Sequence, residues 1–215
     1  MENETLIRSN QRKFIGKILA LYAHDLNNQL GTIKEASGLM EDIMEFNKSK
    51  NNRLREELAK PLQSIYSRVG EAAFLTNTLS TFGHEMKGET SSLNINETVG
   101  VLLALVRRMA AQRRIELVAD FQTDIPAVTA DPVMLQFLLF CLMEEQIIRL
   151  KPKGRLVFGT ARSGKVLSVM IHAEGEEEAM DEKRMFPEGM AQLIAKTYGY
   201  NLTANGRNSS IIFNL

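Results

Sequence analysis

Two stretches of helical periodicity, separated by a few polar residues, constrain this chain more than any other feature. The second stretch, about residues 53–84, repeats Leu58, Ile65, Ala72 and Leu79 at intervals of seven, with Leu62, Val69 and Thr76 as a companion row. An apolar heptad sustained this long is what helices show when they pack along a seam. Pro61 falls inside it, removes one backbone hydrogen bond and predicts a bend. The first stretch, about residues 7–46, reads as one amphipathic helix in which Leu21, Leu26, Leu30 and Ile33 keep the spacing of a buried face. The polar run 47–52 is short enough to predict an antiparallel helical hairpin. A lone hairpin cannot bury two apolar faces, so the pattern predicts a dimeric four-helix bundle. A monomeric hairpin packed on the rest of the chain is the competing arrangement.

The first helix also carries a second, polar face. His24, Asn27, Asn28 and Gly31 are spaced by three, four and seven, which places them together on the helix surface. Lys17 and Ala20 extend that face toward the N-terminus. An imidazole is thus flanked by two amides and by side chains too small to shield it. Gly31 costs about 1 kcal/mol relative to Ala inside a helix, which makes sense where another protein must approach the backbone.

Residues 83–92 are glycine-rich and polar without a period and read as a linker. Beyond them strands and helices alternate. Residues 93–95 read as a short strand, with Asn96 as N-cap of a helix to about Arg113 that buries Val99, Leu102, Leu103, Val106 and Met109. Residues 115–121 read as a strand. Asp131-Pro132 starts another helix, with Asp as cap and Pro at the first helical position; Leu135, Leu138, Leu139, Leu142, Ile147 and Leu150 face inward. Residues 155–161 and 166–173 alternate around Ser163-Gly164 and predict a hairpin. An acidic segment, 174–182, precedes a helix of about 188–198. A closing hairpin of 200–204 and 209–215 turns over residues 205–208. The expected fold is α + α/β: a long helical hairpin over 1–86, then an α/β sandwich over 91–215 with a mixed sheet and helices on one face.

The 26 basic and 26 acidic residues cancel, which gives no electrostatic reason to bind nucleic acid or a membrane surface. No apolar run reaches the roughly 20 residues of a membrane span, and the N-terminus lacks the order of a signal peptide. Cys141, the single cysteine, excludes an internal disulfide and suits a reducing compartment. The expected location is the cytoplasm. His84 and His172 read as structural, since neither has a neighbouring Cys or paired His for a metal set; no metal is expected. The methionines read as core filler and 176–178 as a solvated acidic loop.

The run Ala23-His24-Asp25 with Asn28 and Leu30 resembles the phospho-acceptor box of two-component histidine kinases, and residues 91–215 resemble the ATP-binding domain of the same family. The second likeness is carried by 124–132 with Leu135-Gln136 and Leu138-Leu139, and by Gly189, Ile194, Lys196 and Gly199. The resemblance implies that His24 accepts a phosphoryl group. It implies that Asp25 orients or deprotonates the imidazole, and that Asn28 takes the position that places water for dephosphorylation in bifunctional members. It also implies a homodimer and a response-regulator receiver domain as partner, with Lys17, Ala20, Asn27 and Gly31 on the docking face. By helical spacing alone, Lys17, and Lys34 beyond, would help neutralise the phosphoryl group or steer an acidic receiver pocket.

The nucleotide-binding groups of that family are replaced here. The two Asn positions of its asparagine box fall on Cys141 and Glu145; a thiol is a poor ligand for magnesium, and a carboxylate repels a triphosphate. The adenine-reading Asp-x-Gly-x-Gly turn is replaced by Glu174-Gly175-Glu176-Glu177-Glu178. After Gly189 the phosphate loop continues as Met190-Ala191. An intact His box with a degenerate ATP domain resembles the dimeric histidine phosphotransferases of phosphorelays. These pass phosphoryl groups between receiver aspartates without ATP, and need magnesium only in the receiver. The alternatives are a non-catalytic pseudokinase adaptor, a receiver phosphatase using Asn28, and an active sensor histidine kinase core.

Overall fold

The computed structural model of the protein describes residues 2–46, 54–85, 90–177 and 184–215. The predicted turn at 47–52, the middle of the 83–92 linker and the end of the acidic segment, Glu178 included, lie outside the described residues.

Both long helices form: α1 (Glu2–Phe46) and α2 (Leu54–Glu85). Their contacts run in opposite order along the two chains. Phe14 meets Phe82 at 6.0 Å between ring centroids, the Tyr22 and Thr76 hydroxyls share a hydrogen bond at 3.3 Å, and Arg68 donates to Gln29 Oε1 at 3.5 Å. The helices are therefore antiparallel.

The sheet portion follows as β1 (Ser91–Leu93), α3 (Ile95–Gln112), β2 (Glu116–Phe121), β3 (Val128–Ala130), α4 (Pro132–Arg149), β4 (Arg155–Ser163), β5 (Val166–Glu174), α5 (Met190–Tyr198), β6 (Asn201–Asn205) and β7 (Asn208–Asn214). Its main sheet runs β2-β4-β5-β7-β6, with β2 parallel to β4 and the other neighbours antiparallel. Along β5, Leu167, Val169, Ile171 and Ala173 are buried while Val166, Met170 and His172 are exposed. That alternation is what a sheet covered by helices on one face requires. Gly164 supplies a φ of +61° in the two-residue turn between β4 and β5, a value that L side chains rarely adopt.

Asp131 caps α4 as expected: its Oδ1 accepts from the Val133 and Met134 N–H groups at 2.9 and 3.0 Å. The start of α3 differs from the sequence reading. Asn94, not Asn96, is the N-cap, and Ile95 opens the helix instead of closing a strand. Its Oδ1 accepts from the N–H groups of Asn96 and Glu97, and Asn96 instead reaches across to the Gln122 carbonyl and the Thr160 hydroxyl. The short strand is thereby shifted two residues toward the N-terminus. It pairs with β3, which the sequence reading left as loop because three residues are too few for a period. The last helix begins at Met190, after Gly189 in the left-handed region, and not at Glu188.

One apolar core joins the long helices to the sheet portion. Phe14 stacks on Phe137 at 5.4 Å and tilts against Phe140 at 5.1 Å, and Phe186 meets both of those rings edge-on. Such pairs add about 0.5–1.5 kcal/mol each beyond simple burial. Away from this knot the long helices bury little. Beyond Leu21, Ala36 is the one buried residue among the described side chains of α1. Leu30, expected inside, is 52% exposed, because α2 covers a narrower stripe of α1 than the spacing allowed. The companion row on α2 also points outward, with Leu62 and Val69 41% and 49% exposed. One heptad row suffices to pack along α1, and of the second row Thr76 reaches α1 while Leu62 and Val69 are left over. No described helix is long and apolar enough to cross a membrane.

Candidate functional site

His24 lies on the exposed face of α1 together with Ala20, Asn27, Asn28 and Gly31. A Cβ added at Gly31 would meet nothing within 4 Å, so that stretch of helix is open to an approaching surface. Lys17 is half-buried, and its charge reaches Glu144 on α4; it therefore sits near the sheet portion. Lys34 is exposed.

Both ring nitrogens of His24 are engaged. The Asn28 side-chain amide lies one helical turn along the same face, with its Nδ2 placed 3.0 Å from Nδ1. On the other side, Arg108 of α3 places its Nη2 2.9 Å from Nε2 and its Nη1 2.9 Å from Asp25 Oδ1. A guanidinium only donates. Nε2 must therefore be the acceptor, and the neutral ring carries its proton on Nδ1. An Nδ1–H has a partner in Asn28 only with the amide turned over, so that Oδ1 takes the place of Nδ2, an exchange that the hydrogen-bond network decides. The ring is held in the tautomer whose Nε2 lone pair is free of a proton.

Asp25 acts on the imidazole at one remove: it anchors the guanidinium that contacts the ring. The Arg108 and Asp25 side chains are 23% and 25% exposed, so their attraction is screened less than that of a surface pair. Arg108 lies 83 residues from Asp25 in sequence. The pattern of α3 marked it only as a charge beside the apolar positions Val106 and Met109. Sequence reasoning missed it, and no local signal pointed to it.

The Arg108 guanidinium lies at one wall of a groove of ≈ 950 Å³ between α1, α2 and α3. Asp25, Asn28, Gln29, Arg68, Glu71, Phe74 and Arg107 also line it. Arg68 pairs with Glu71 at 3.0 Å, while the adjacent Arg107 is exposed.

A second place bears on nucleotide chemistry. Cys141 and Glu145 of α4 line a hollow of only ≈ 20 Å³ with Glu144, Arg184, Phe186 and Gly189. Sites for cofactor-sized ligands occupy roughly 300–1,000 Å³. The Phe186 ring packs against Phe137 and Phe140 of α4 at the edge of this hollow, and the Glu144 carboxylate accepts the Met185 N–H at 2.8 Å. Burial pushes the Glu144 carboxyl up, against the opposing pull of the Met185 and Phe186 N–H groups and of the Arg184 and Lys17 charges. Glu145 is paired with Arg149 at 2.9 Å and Arg184 at 3.9 Å. Burial raises the Cys141 thiol well above its ordinary range, and the charges of Glu144 and Glu145 add to the effect. Glu174 is bound by Arg155 at 2.9 Å. His84 is exposed on α2, and His172 on β5 shares a hydrogen bond with Asn208 at 2.6 Å. Among the described residues no group of His, Cys, Asp and Glu could hold a metal ion.

No protein-family model matches the chain. In sequence it is similar to the C4-dicarboxylate transport sensor protein DctS of Rhodobacter capsulatus, 20% identical over 178 residues that cover 81% of this chain and 26% of that protein. It is also similar to the adaptive-response sensory kinase SasA of Synechococcus elongatus, 23% identical over 197 residues that cover 86% and 49%. The chain thus spans about a quarter to a half of the length of these relatives. Among solved structures, the histidine kinase ThkA in complex with the response regulator protein TrrA aligns with 100% of this chain and 65% of that one. The TM-score is 0.47 and the identity 14%.

Proposed function

We propose that this chain is a histidine phosphotransferase of a two-component phosphorelay, passing a phosphoryl group to or from a receiver aspartate through His24 without using ATP. The observation that carries this reading is the setting of His24: exposed on α1, with the Asn28 amide 3.0 Å from Nδ1 and the Arg108 guanidinium 2.9 Å from Nε2, a contact that only an unprotonated Nε2 can accept. A neutral imidazole nitrogen is a competent nucleophile toward phosphorus. In the forward step the Nε2 lone pair forms the N–P bond while the bond from phosphorus to the aspartyl oxygen breaks, and the carboxylate leaves with the electron pair. Such transfers depend mainly on positioning and charge neutralisation. The receiver brings its own magnesium, so this chain needs no metal site.

Two further features support the reading. Among the described residues, the hollow beside Cys141 and Glu145 holds only ≈ 20 Å³, against the roughly 300 Å³ or more of cofactor sites. The outward rows on α1 and α2, including Leu30, Leu39, Leu62, Val69 and Phe74, suit burial against a second copy, giving a homodimeric four-helix bundle. In this reading residues 1–86 carry phosphotransfer and dimerisation. Residues 91–215 are a histidine-kinase-like ATPase fold that serves as a support, and Ala20, Asn27 and Gly31 face the receiver.

An active kinase core is the second reading, favoured by the similarity to a sensory kinase. Incubating the purified chain with phosphorylated receiver domains, and separately with labelled ATP, separates the two. Acid-labile label taken from a receiver, absent from ATP and lost in His24→Ala supports the phosphotransferase. Label taken directly from ATP overturns it in favour of the kinase. Receiver binding that is unaffected by His24→Ala, with no label on the chain, makes the protein an adaptor.

A further inference from the structure

The contact between Arg108 and His24 joins two parts of the chain that the sequence keeps 84 residues apart, and it raises a chemical question. The guanidinium sits on the lone pair that must attack phosphorus. We propose that Arg108 is a positioning residue with two successive partners: the bare Nε2 of His24 before transfer, and the phosphoryl oxygens on Nε2 after it. This inference rests on the phosphotransfer reading above.

In the resting arrangement the two arms of the fork divide the work. Nη1 is anchored on Asp25 Oδ1 and Nη2 on His24 Nε2, both at 2.9 Å. The second contact fixes the ring proton on Nδ1, so the nucleophilic tautomer is selected before any donor arrives. It also covers the lone pair, which discourages reaction with adventitious donors. When a receiver docks, Nη2 must leave Nε2 while Nη1 keeps Asp25. The groove of ≈ 950 Å³ beside it provides the space. No proton is removed from Nε2 in the step, because none is there; the Nδ1 proton stays on the ring.

After transfer the phosphoryl oxygens occupy the side of Nε2 where Nη2 stood. A guanidinium suits that position, because its planar fork matches phosphate oxygens and its charge is permanent. Arg107, exposed and lining the same groove, adds positive potential without a direct contact to His24. Asp25 then acts through Arg108: it keeps the guanidinium near the phosphoryl group and is not itself a base for Nε2. A lysine at 108 would supply a point charge but could not span Asp25 and His24 at once.

The test uses the full chain and three readouts. Nitrogen-15 NMR of the imidazole, assigned by comparison with His24→Ala, reports the tautomer without any receiver. The Nδ1–H form is expected in the wild type, with a shift toward Nε2–H in Arg108→Ala and Arg108→Lys. Phosphoramidate, which phosphorylates the ring chemically with release of ammonia, then shows whether the guanidinium follows the phosphoryl group. The Arg108 side-chain resonances should move on phosphorylation and stay still in His24→Ala. Finally, transfer from a phosphorylated receiver should slow at least tenfold in Arg108→Ala, with Arg108→Lys intermediate. An unchanged tautomer in Arg108→Ala, or guanidinium signals indifferent to phosphorylation, overturns the proposal even where receivers label His24 normally. Failure of every receiver to label His24, with both NMR results as expected, instead counts against the phosphotransfer reading while the Arg108 contact stands.

Discussion

Phe14 of α1 stacks on Phe137 of α4, ring centroids 5.4 Å apart and planes inclined by 23°. This pair fixes the helix that bears His24 to the portion that bears Arg108, so the two sides of the candidate site share one core.

Phe14 is completely buried, and truncation leaves a cavity lined by other rings. Phe14→Ala should therefore cost about 3–5 kcal/mol of stability, read by chemical denaturation. The His24–Arg108 contact should loosen with it. A loss below about 1 kcal/mol would mean that the aromatic knot does not hold the parts together.

Asn28 fixes the imidazole through Nδ1 at 3.0 Å. Asn28→Ala should slow phosphoryl transfer about ten- to a hundredfold through misorientation of the ring, while the final extent of labelling stays the same. If receiver phosphate instead disappears faster with wild type than with Asn28→Ala, and does so without label on His24, Asn28 is positioning water in a phosphatase.

Val69 is 49% exposed and, with Leu62, forms the part of its α2 row that α1 leaves uncovered. Val69→Glu should place a charge in the proposed dimer interface and shift the protein to monomer in sedimentation velocity. The circular dichroism of the monomeric variant should change little, because the site is not in the core. A wild type that is already monomeric at micromolar concentration removes the bundle proposal.

Glu144 offers a pH test. Its carboxyl is raised by burial above the ordinary value, so the folded state holds a proton more tightly than the unfolded chain does. Its favourable contribution is complete below the unfolded value and is lost as pH rises through the raised one. Compared with wild type, Glu144→Gln should gain relative stability on going from about pH 4 toward neutrality, since the amide oxygen still accepts the Met185 N–H. Parallel denaturation curves for the two proteins across that range would contradict the assigned shift.

Much of the architecture was legible because it is periodic. Amphipathic spacing marked the first long helix and a heptad seam the second, the Asp131-Pro132 pair marked a capped start, and the alternation about Gly164 marked a hairpin. Local spacing also put His24, Asn27, Asn28 and Gly31 on one helix face and left them exposed. Where elements are short the reading slipped. Asn94 and Asn96 are equally good caps by type, and only the bridge from Asn96 to Thr160 and Gln122 decided between them.

What the sequence by itself determined was the set of elements and a histidine set among small and polar neighbours, since these follow from residues within one or two helical turns. Tertiary structure decided what stands in front of that histidine. Which heptad row packs along α1, that Leu30 stays outside, that Phe186 packs on Phe137 and Phe140 near Cys141, and that Arg108 reaches Asp25 and His24 all depend on how distant elements pack. A periodic pattern records that a face is apolar, but its partner is chosen by side chains far away in the chain.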